Sequence, residues 1–264
     1  MSIVLEAGEA RAIVEPEAGG RIASIEVGGL ELLVQRQGDP LRWGCYPMAP
    51  WVGRVRRGRF RFDGADYSLP LTLPPHAIHG TTYTRPWRDE GGGRLSIDLG
   101  ETWPYSGRAV QEFAIDAGGL DLRLEVHSDD RPFPASLGWH PWFRRQLERG
   151  EPVELSFAAR AMYLRDADGI PTGERVPPPP GPWDDCFTEV TEPPSLRWPG
   201  ALRVTLESSA DHWVVYDEPE HAVCVEPQTG PPDALNLAPR VVSPERPLVA
   251  TARLAWTPDP SGPA

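Results

Sequence analysis

The chain has 264 residues with 38 acidic and 26 basic side chains, long enough for a sizeable core, and its net charge of −12 is the wrong sign for a nucleic-acid partner. Every basic side chain is arginine, since the sequence contains no lysine. That excludes Schiff-base and pyridoxal-phosphate lysines and Walker-type loops, and no G-x-G-x-x-G follows a strand pattern to suggest a dinucleotide site.

The opening "MSIVLEAGEARAIVEPEAGG" has neither a basic n-region nor an unbroken apolar run, so no signal peptide is expected. No apolar stretch approaches the ~20 residues of a membrane helix. The expectation is a cytoplasmic protein without a membrane partner. "EVGGLE" carries the glycines of a hairpin turn. In "PWVGRVRRGRF" (50–60), continued alternation puts Arg54 and Arg56 on the side of Phe60 and Phe62, and Arg57, Arg59 and Arg61 on the solvent side. An arginine on an apolar side must be paired or face a polar cavity. After the turn "FDGADY", the Pro/Gly-flanked loop "PPHAIHG" holds His76 and His79. Their spacing is weak as a metal signature, and hydrogen bonding to loop backbone suits His76 better than His79.

"RLSIDL", the turn "DAGGLD" and "DLRLEVH" follow, the last placing Leu122, Leu124 and Val126 opposite Asp121, Arg123 and Glu125. In "LGWHPWF" (137–143), alternation aligns Ser136, Gly138 and His140, with Trp142 beyond. The small residues are expected to leave room for a ligand beside the imidazole. Trp142 is expected to offer the aromatic wall that suits the C–H faces of a sugar. "VPPPPGPW" (176–183) reads as a stiff loop, because strand patterns such as "LRVTLESS" and "HWVVY" continue beyond it. In "AVCVEPQTGPPDALN" (222–236), Glu226 shares parity with Ala222 and Cys224, and Pro227 is expected to end regular pairing. A carboxylate leaving such an apolar strand is desolvated, which raises its pKa and makes it a better base. "LVATARLAW" is the last strand pattern, and about 257–264 is expected to be a frayed tail. Cys45, Cys186 and Cys224 form no C-x-x-C pair and are expected to be free thiols. No segment sustains an amphipathic helix, so the prediction is one all-β domain over residues 1–264, an antiparallel sandwich or barrel.

Taken in order, the Arg motif before R-G-R-F, the loop H-G, the strand His before an aromatic, W-D-D-C-F, and E-P-Q followed by P-D-A resemble the aldose 1-epimerase (galactose mutarotase) family. The resemblance runs from about Gly19 to Trp256. It implies an all-β antiparallel supersandwich acting on a small sugar with no metal or other cofactor. By match, Glu226 is the general base, His140 the general acid, and His79 the second histidine, which binds the sugar and assists at the ring oxygen. Arg54 and Asp184 fall on sugar-binding positions, with Asp185 one residue off. The family's Asn-rich run before the first His-Gly is replaced by "LPPHAI", and "GWHPWF" replaces the Asn-His pair of the galactose enzymes.

The implied reaction interconverts α and β anomers by ring opening and closure. It uses an ionised Glu226 and a protonated His140 on opposite sides of the reacting bond. The substrate expected is a neutral aldohexose, with a phosphorylated or sulfonated hexose on Arg54 and Arg56 as the alternative. A non-catalytic sugar-binding sandwich, or a metal enzyme ligated by His76, His79, His140 and Glu226, are the other classes. The expected assembly is a monomer or homodimer.

Overall fold

The period-two pattern becomes two large sheets in the computed structural model, which describes residues 1–259. The twelve-stranded sheet runs Ile3–Ala7, Ala10–Glu15, Arg21–Val27, Cys45–Met48, Gly138–Pro141, Ala222–Gln228, His212–Tyr216, Asp184–Val190, Ala159–Arg165 and Pro171–Val176, with Leu30–Glu31 and Phe143–Arg144 off that path. The eight-stranded sheet runs Arg88–Gly91, Arg94–Asp98, Gly107–Asp116, Gly119–Ser128, Leu248–Pro258, Leu202–Ser208, Ser195–Trp198 and Glu154–Ser156. Among the described residues the only α-helix is the four-residue Ala234–Leu237.

Alternation decides which side chains meet. Leu120, Leu122, Leu124 and Val126 of the smaller sheet join Trp139, Phe143, Val223 and Val225 of the larger in one continuous core. Burying each such aliphatic side chain is worth about 1.5–3 kcal/mol. That energy fixes the register, because a one-residue slip would turn every one of them to the other face. The alternate residues His140, Trp142, Cys224, Glu226 and Gln228 therefore occupy the opposite face, where Tyr46, Trp142 and Cys224 belong to a separate apolar cluster.

Pro227 does not end its strand as expected, since Trp213↔Pro227 and His212↔Gln228 are both paired. The ladder to the histidine strand is what opens, between the pairs Gly138↔Gln228 and Phe143↔Val223. Pro141 and Pro227, which have no N–H to donate, both fall in that gap.

Two other expectations change. Parity does not carry from Arg54 to Phe60, because a 3₁₀ turn at Arg56–Gly58, with Arg57 at φ 50°, separates Arg54–Val55 from Arg59–Phe62. Arg57, Arg59 and Arg61 are nevertheless exposed, as expected. Nor is Thr257 the start of a frayed tail: Thr257 and Pro258 pair with Arg203 and Leu202, and the rest of that expectation, residues 260–264, lies outside the described residues.

Candidate active site

Side chains of neighbouring strands on the outer face of the large sheet form a row. Tyr46 is the register partner of His140, and Val214 that of Glu226. Between them His140 Nε2 stands 3.1 Å from Glu226 Oε1, with the two side chains only 8% and 3% exposed. Gln228, fully buried one step along the glutamate strand, donates its amide Nε2–H to Glu226 Oε2 over 2.9 Å.

The imidazole sits in a stack. Tyr46 lies 4.9 Å from it at 27° and Trp142 5.2 Å away at 10°. Trp142 is also stacked by His221 at 6.1 Å and 15° and met edge-on by Tyr216 at 5.9 Å and 85°. Stacked in this way and only 5% exposed, the indole offers little of the open sugar wall expected from the sequence. It still lines the cleft, and its stacking helps to fix the plane of His140. The small residues before His140 are also committed: Ser136 Oγ accepts the Val52 N–H at 3.0 Å, and a Cβ on Gly138 would lie 3.1 Å from Gln228 Cγ and 2.5 Å from the Pro227 carbonyl. The space at Gly138 belongs to Gln228, not to a ligand.

His79 stands edge-on to His140, with ring centroids 5.3 Å apart at 88°. It is held at φ 58°, a left-handed conformation costly for a residue with a Cβ. Gly80 follows at φ +84°, where a Cβ would lie 1.9 Å from the Ala49 carbonyl oxygen. The H-G pair is thus a backbone requirement that aims a histidine at the cleft. His76 turns away from this use, since its Nδ1 accepts the Arg57 backbone N–H at 3.1 Å.

The Arg54–Val55 strand pairs with Ala77–Ile78, bringing Arg54 beside His79 at the rim of the cleft. Its guanidinium makes no hydrogen bond or ion pair among the described residues, so its donors are free. Asp184 and Asp185 also line the cleft, and Arg165 binds both, at 3.3 Å to Asp184 Oδ2 and 2.6 Å to Asp185 Oδ1. Asp185 is the more buried and more tightly held. Arg56 is engaged by Asp166 at 2.6 Å and Asp168 at 3.6 Å, which removes it as a partner for an anionic sugar.

Burial governs the electrostatics. It drives the Glu226 carboxyl well above the usual range, reinforced by Asp184 and opposed by the Gln228 hydrogen bond and Arg54. It pushes His140 down to about 3, with the cation of Arg21 acting in the same direction. His79 is likewise held well below its ordinary value by burial, His140 and Arg54. Both members of the His140–Glu226 pair are thus biased toward their uncharged forms, with one proton on the carboxyl. The charged pair expected from the sequence differs from this by one proton transfer across the 3.1 Å contact. The two groups also lie side by side, not on opposite sides of a reacting bond.

His140, Cys224 and Glu226 place one donor atom each within 4.8 Å of one another, a nitrogen, sulfur and oxygen set chemically able to hold a borderline cation such as zinc. Two of the three are the hydrogen-bonded acid–base pair. The four-ligand set considered from the sequence is not assembled, because His76 is spent on backbone.

An all-β fold of two stacked antiparallel sheets, bearing a buried His–Glu pair at the floor of an arginine- and aspartate-rimmed cleft, is galactose mutarotase-like. The chain belongs to the aldose 1-epimerase family, whose model matches residues 1–240. Among curated relatives, the uncharacterised protein YphB of Escherichia coli K12 is 29% identical over 105 residues, 38% of this chain and 36% of that protein. Galactose mutarotase of Rattus norvegicus is 26% identical over 138 residues, 48% of this chain and 40% of that enzyme. The aligned stretches thus span less than half of either relative. The fold match is broader. A galactose mutarotase-like protein from Clostridium acetobutylicum superposes with a TM-score of 0.86 at 16% identity, covering 97% of this chain and 95% of that one. Galactose 1-epimerase from Lactobacillus acidophilus gives 0.81 at 16% identity, covering 97% and 94%.

Sequence reasoning missed three residues. Gln228 was readable, since it shares parity with Glu226 two positions on. Tyr46 had no local signal, because only the register of its strand with Gly138–Pro141 puts it on His140. Arg21 is 1% exposed, stacks 4.1 Å over Trp43, and donates to the carbonyls of Ala18, Pro40, Trp43 and Tyr83. A buried arginine satisfied by carbonyls of which three lie 19 to 62 residues away leaves no pattern in sequence.

Proposed function

We propose that the protein is a mutarotase, a cofactor-independent aldose 1-epimerase that interconverts the α and β anomers of a neutral aldohexose. The observation that carries this reading is the 3.1 Å contact between His140 Nε2 and Glu226 Oε1 at the floor of the cleft. The anomeric hydroxyl and the ring oxygen are both bonded to C1, so the groups that serve them must be neighbours, as these two are.

Glu226, ionised when its proton crosses to His140, takes the proton of the anomeric hydroxyl while His140 gives one to the ring oxygen. The C1–O5 bond breaks, the open-chain aldehyde rotates about C1–C2, and closure on the other face returns each proton to its donor. Each positioned transfer is worth roughly 10²–10⁴ in rate. Sugar hydroxyls reaching the pair supply the hydrogen bonds that burial denies the charged form. The working state holds one proton between two groups whose values burial pushes apart, so the pH–rate bell is broader than the span of about 4.3 to 6.5 that an exposed Glu and His would give. His79, Arg54 and Asp184 bind ring oxygens and hydroxyls. Trp142 holds His140.

The charge of the lining supports an uncharged substrate. Asp39, Asp184, Asp185 and Glu226 face the cleft against Arg42 and Arg54, and Arg42 is already bound to Asp39 at 3.1 Å. Arg165 holds Asp184 and Asp185, and Glu226 keeps its proton, so a phosphate would find only Arg54 without an acidic partner among the described residues. Polarimetry on freshly dissolved α-glucose, α-galactose and their 6-phosphates tests this, with the expected preference for the neutral sugars. A strong preference for a phosphate overturns the substrate reading, and no acceleration of any sugar overturns the enzyme reading.

A further inference from the structure

We propose that Gln228 ties the catalytic base to the hydroxyl on C2 of the sugar, its Nε2–H holding Glu226 and its Oε1 accepting from that hydroxyl. The proposal rests on the mutarotase reading for the orientation of the sugar, and on the burial, hydrogen bonding and surroundings of the residue itself.

Gln228 has no exposed surface, yet it borders the cleft. Its Nε2–H donates to Glu226 Oε2 at 2.9 Å, while its Oε1 is buried with no partner among the described residues. Leaving a buried acceptor unpaired costs on the order of 1–3 kcal/mol, so such an atom marks a place where a ligand donor is missing. The strand around it is rigidly held: Gly138 is its register partner, the Leu137 N–H donates to Thr229 Oγ1 at 2.8 Å, and the Thr229 N–H donates to the Leu137 carbonyl at 2.8 Å. A Cβ at residue 138 would clash with the Pro227 carbonyl oxygen at 2.5 Å and crowd Gln228 Cγ at 3.1 Å, so the glycine leaves room for this side chain.

The order of groups supplies the hydroxyl. His140 meets one oxygen of the Glu226 carboxylate and Gln228 the other. A sugar with its ring oxygen at His140 and its anomeric hydroxyl at Glu226 has C2 as the remaining ring neighbour of C1, on the side of Gln228. One amide then reads the sugar and orients the base together. A hydroxyl that engages Oε1 polarises the amide and strengthens its N–H bond to the carboxylate. Bound substrate therefore favours the ionised form of Glu226 that the reaction needs.

The test compares glucose with 2-deoxyglucose in wild type, Gln228→Met and Gln228→Glu, by polarimetric kcat/KM and by calorimetric Kd. Wild type is expected to prefer glucose by roughly five- to a hundredfold, the consequence of leaving one buried acceptor unpaired. Gln228→Met, which removes both hydrogen bonds, is expected to bring the two sugars within about twofold and to move the limb of the kcat profile set by Glu226 upward in pH. Gln228→Glu keeps an oxygen toward C2 and, while protonated, a donor toward Glu226, so it is expected to retain the preference at low pH. If folded Gln228→Met discriminates as wild type does, or if wild type binds the two sugars equally, the assignment of Gln228 is overturned. Wild type that binds glucose in preference to 2-deoxyglucose without accelerating mutarotation would instead overturn the proposed reaction and leave the Gln228 contact standing.

Discussion

Replacing Gly80 by alanine measures how strictly the H-G backbone is dictated. At φ +84° an alanine pays about 1–2 kcal/mol for the left-handed conformation alone. Its Cβ would also lie 1.9 Å from the Ala49 carbonyl oxygen, so one backbone segment must retreat by roughly 1 Å. That oxygen accepts the Thr81 N–H at 2.9 Å and the Thr82 hydroxyl at 3.1 Å. Displacing it weakens two buried hydrogen bonds worth about 1 kcal/mol each. The expected loss is therefore about 3–4 kcal/mol in urea unfolding, together with reduced turnover because His79 moves with its neighbour. Gly64 is the control, at φ +78° with nothing within 4 Å of an added methyl, and Gly64→Ala should cost only the conformational part. Equal losses at the two sites would refute the steric half of the reasoning.

Arg54→Met is expected to lower kcat/KM by about ten- to a hundredfold, the worth of a charge-assisted hydrogen bond, while leaving the melting temperature unchanged because Arg54 has no hydrogen bond or ion pair among the described residues. Arg56→Met should do the opposite, leaving kinetics intact and costing at most about 1 kcal/mol, less at high salt, since its ion pairs are partly exposed. Stability against pH separates the acid from the base. His140, lowered to about 3, binds fewer protons folded than unfolded up to about pH 6.5, so it makes stability rise with pH across that window. Glu226, raised by burial, keeps its proton folded after the unfolded chain has lost it near pH 4.3, so it makes stability fall as pH rises toward its folded value. In wild type the two slopes oppose each other, so Glu226→Gln should leave stability rising with pH and His140→Asn should leave it falling, as read by urea midpoints between pH 4.5 and 6.5. Identical slopes would contradict the buried pair. The three buried cysteines should react with a thiol reagent only after unfolding, and elemental analysis should find no stoichiometric metal. Activity lost to a chelator and restored by a divalent ion would move the His140, Cys224 and Glu226 trio to the centre of the mechanism.

What the sequence disclosed follows from what alternation can encode. Leu122, Leu124 and Val126 lie in the core as their spacing said, because burial on one face acts on each strand separately. Glu226 and His140 were legible for the same reason, as polar residues at even positions of apolar strands. The partners of those residues were not, because they depend on which strands become neighbours. Tyr46 reaches His140 only through pairing of strands far apart in sequence, and Trp142 is stacked by His221 from a distant loop. Arg54 and Arg56 looked equivalent by parity. A 3₁₀ turn and two aspartates from a distant hairpin gave them different neighbours.

The most direct measurement of the central claim is polarimetric mutarotation by Glu226→Gln, run beside sugar affinity from tryptophan fluorescence. Glutamine keeps the size of the side chain and can still hydrogen-bond, but it cannot accept the anomeric proton. Turnover should fall by a factor of roughly 10²–10⁴ or more, with affinity held within about tenfold. His140→Asn should behave alike, and the double variant should lose far less than the product of the two single losses, because the pair passes one proton between its members. A folded Glu226→Gln protein that turns over near the wild-type rate would contradict the mechanism.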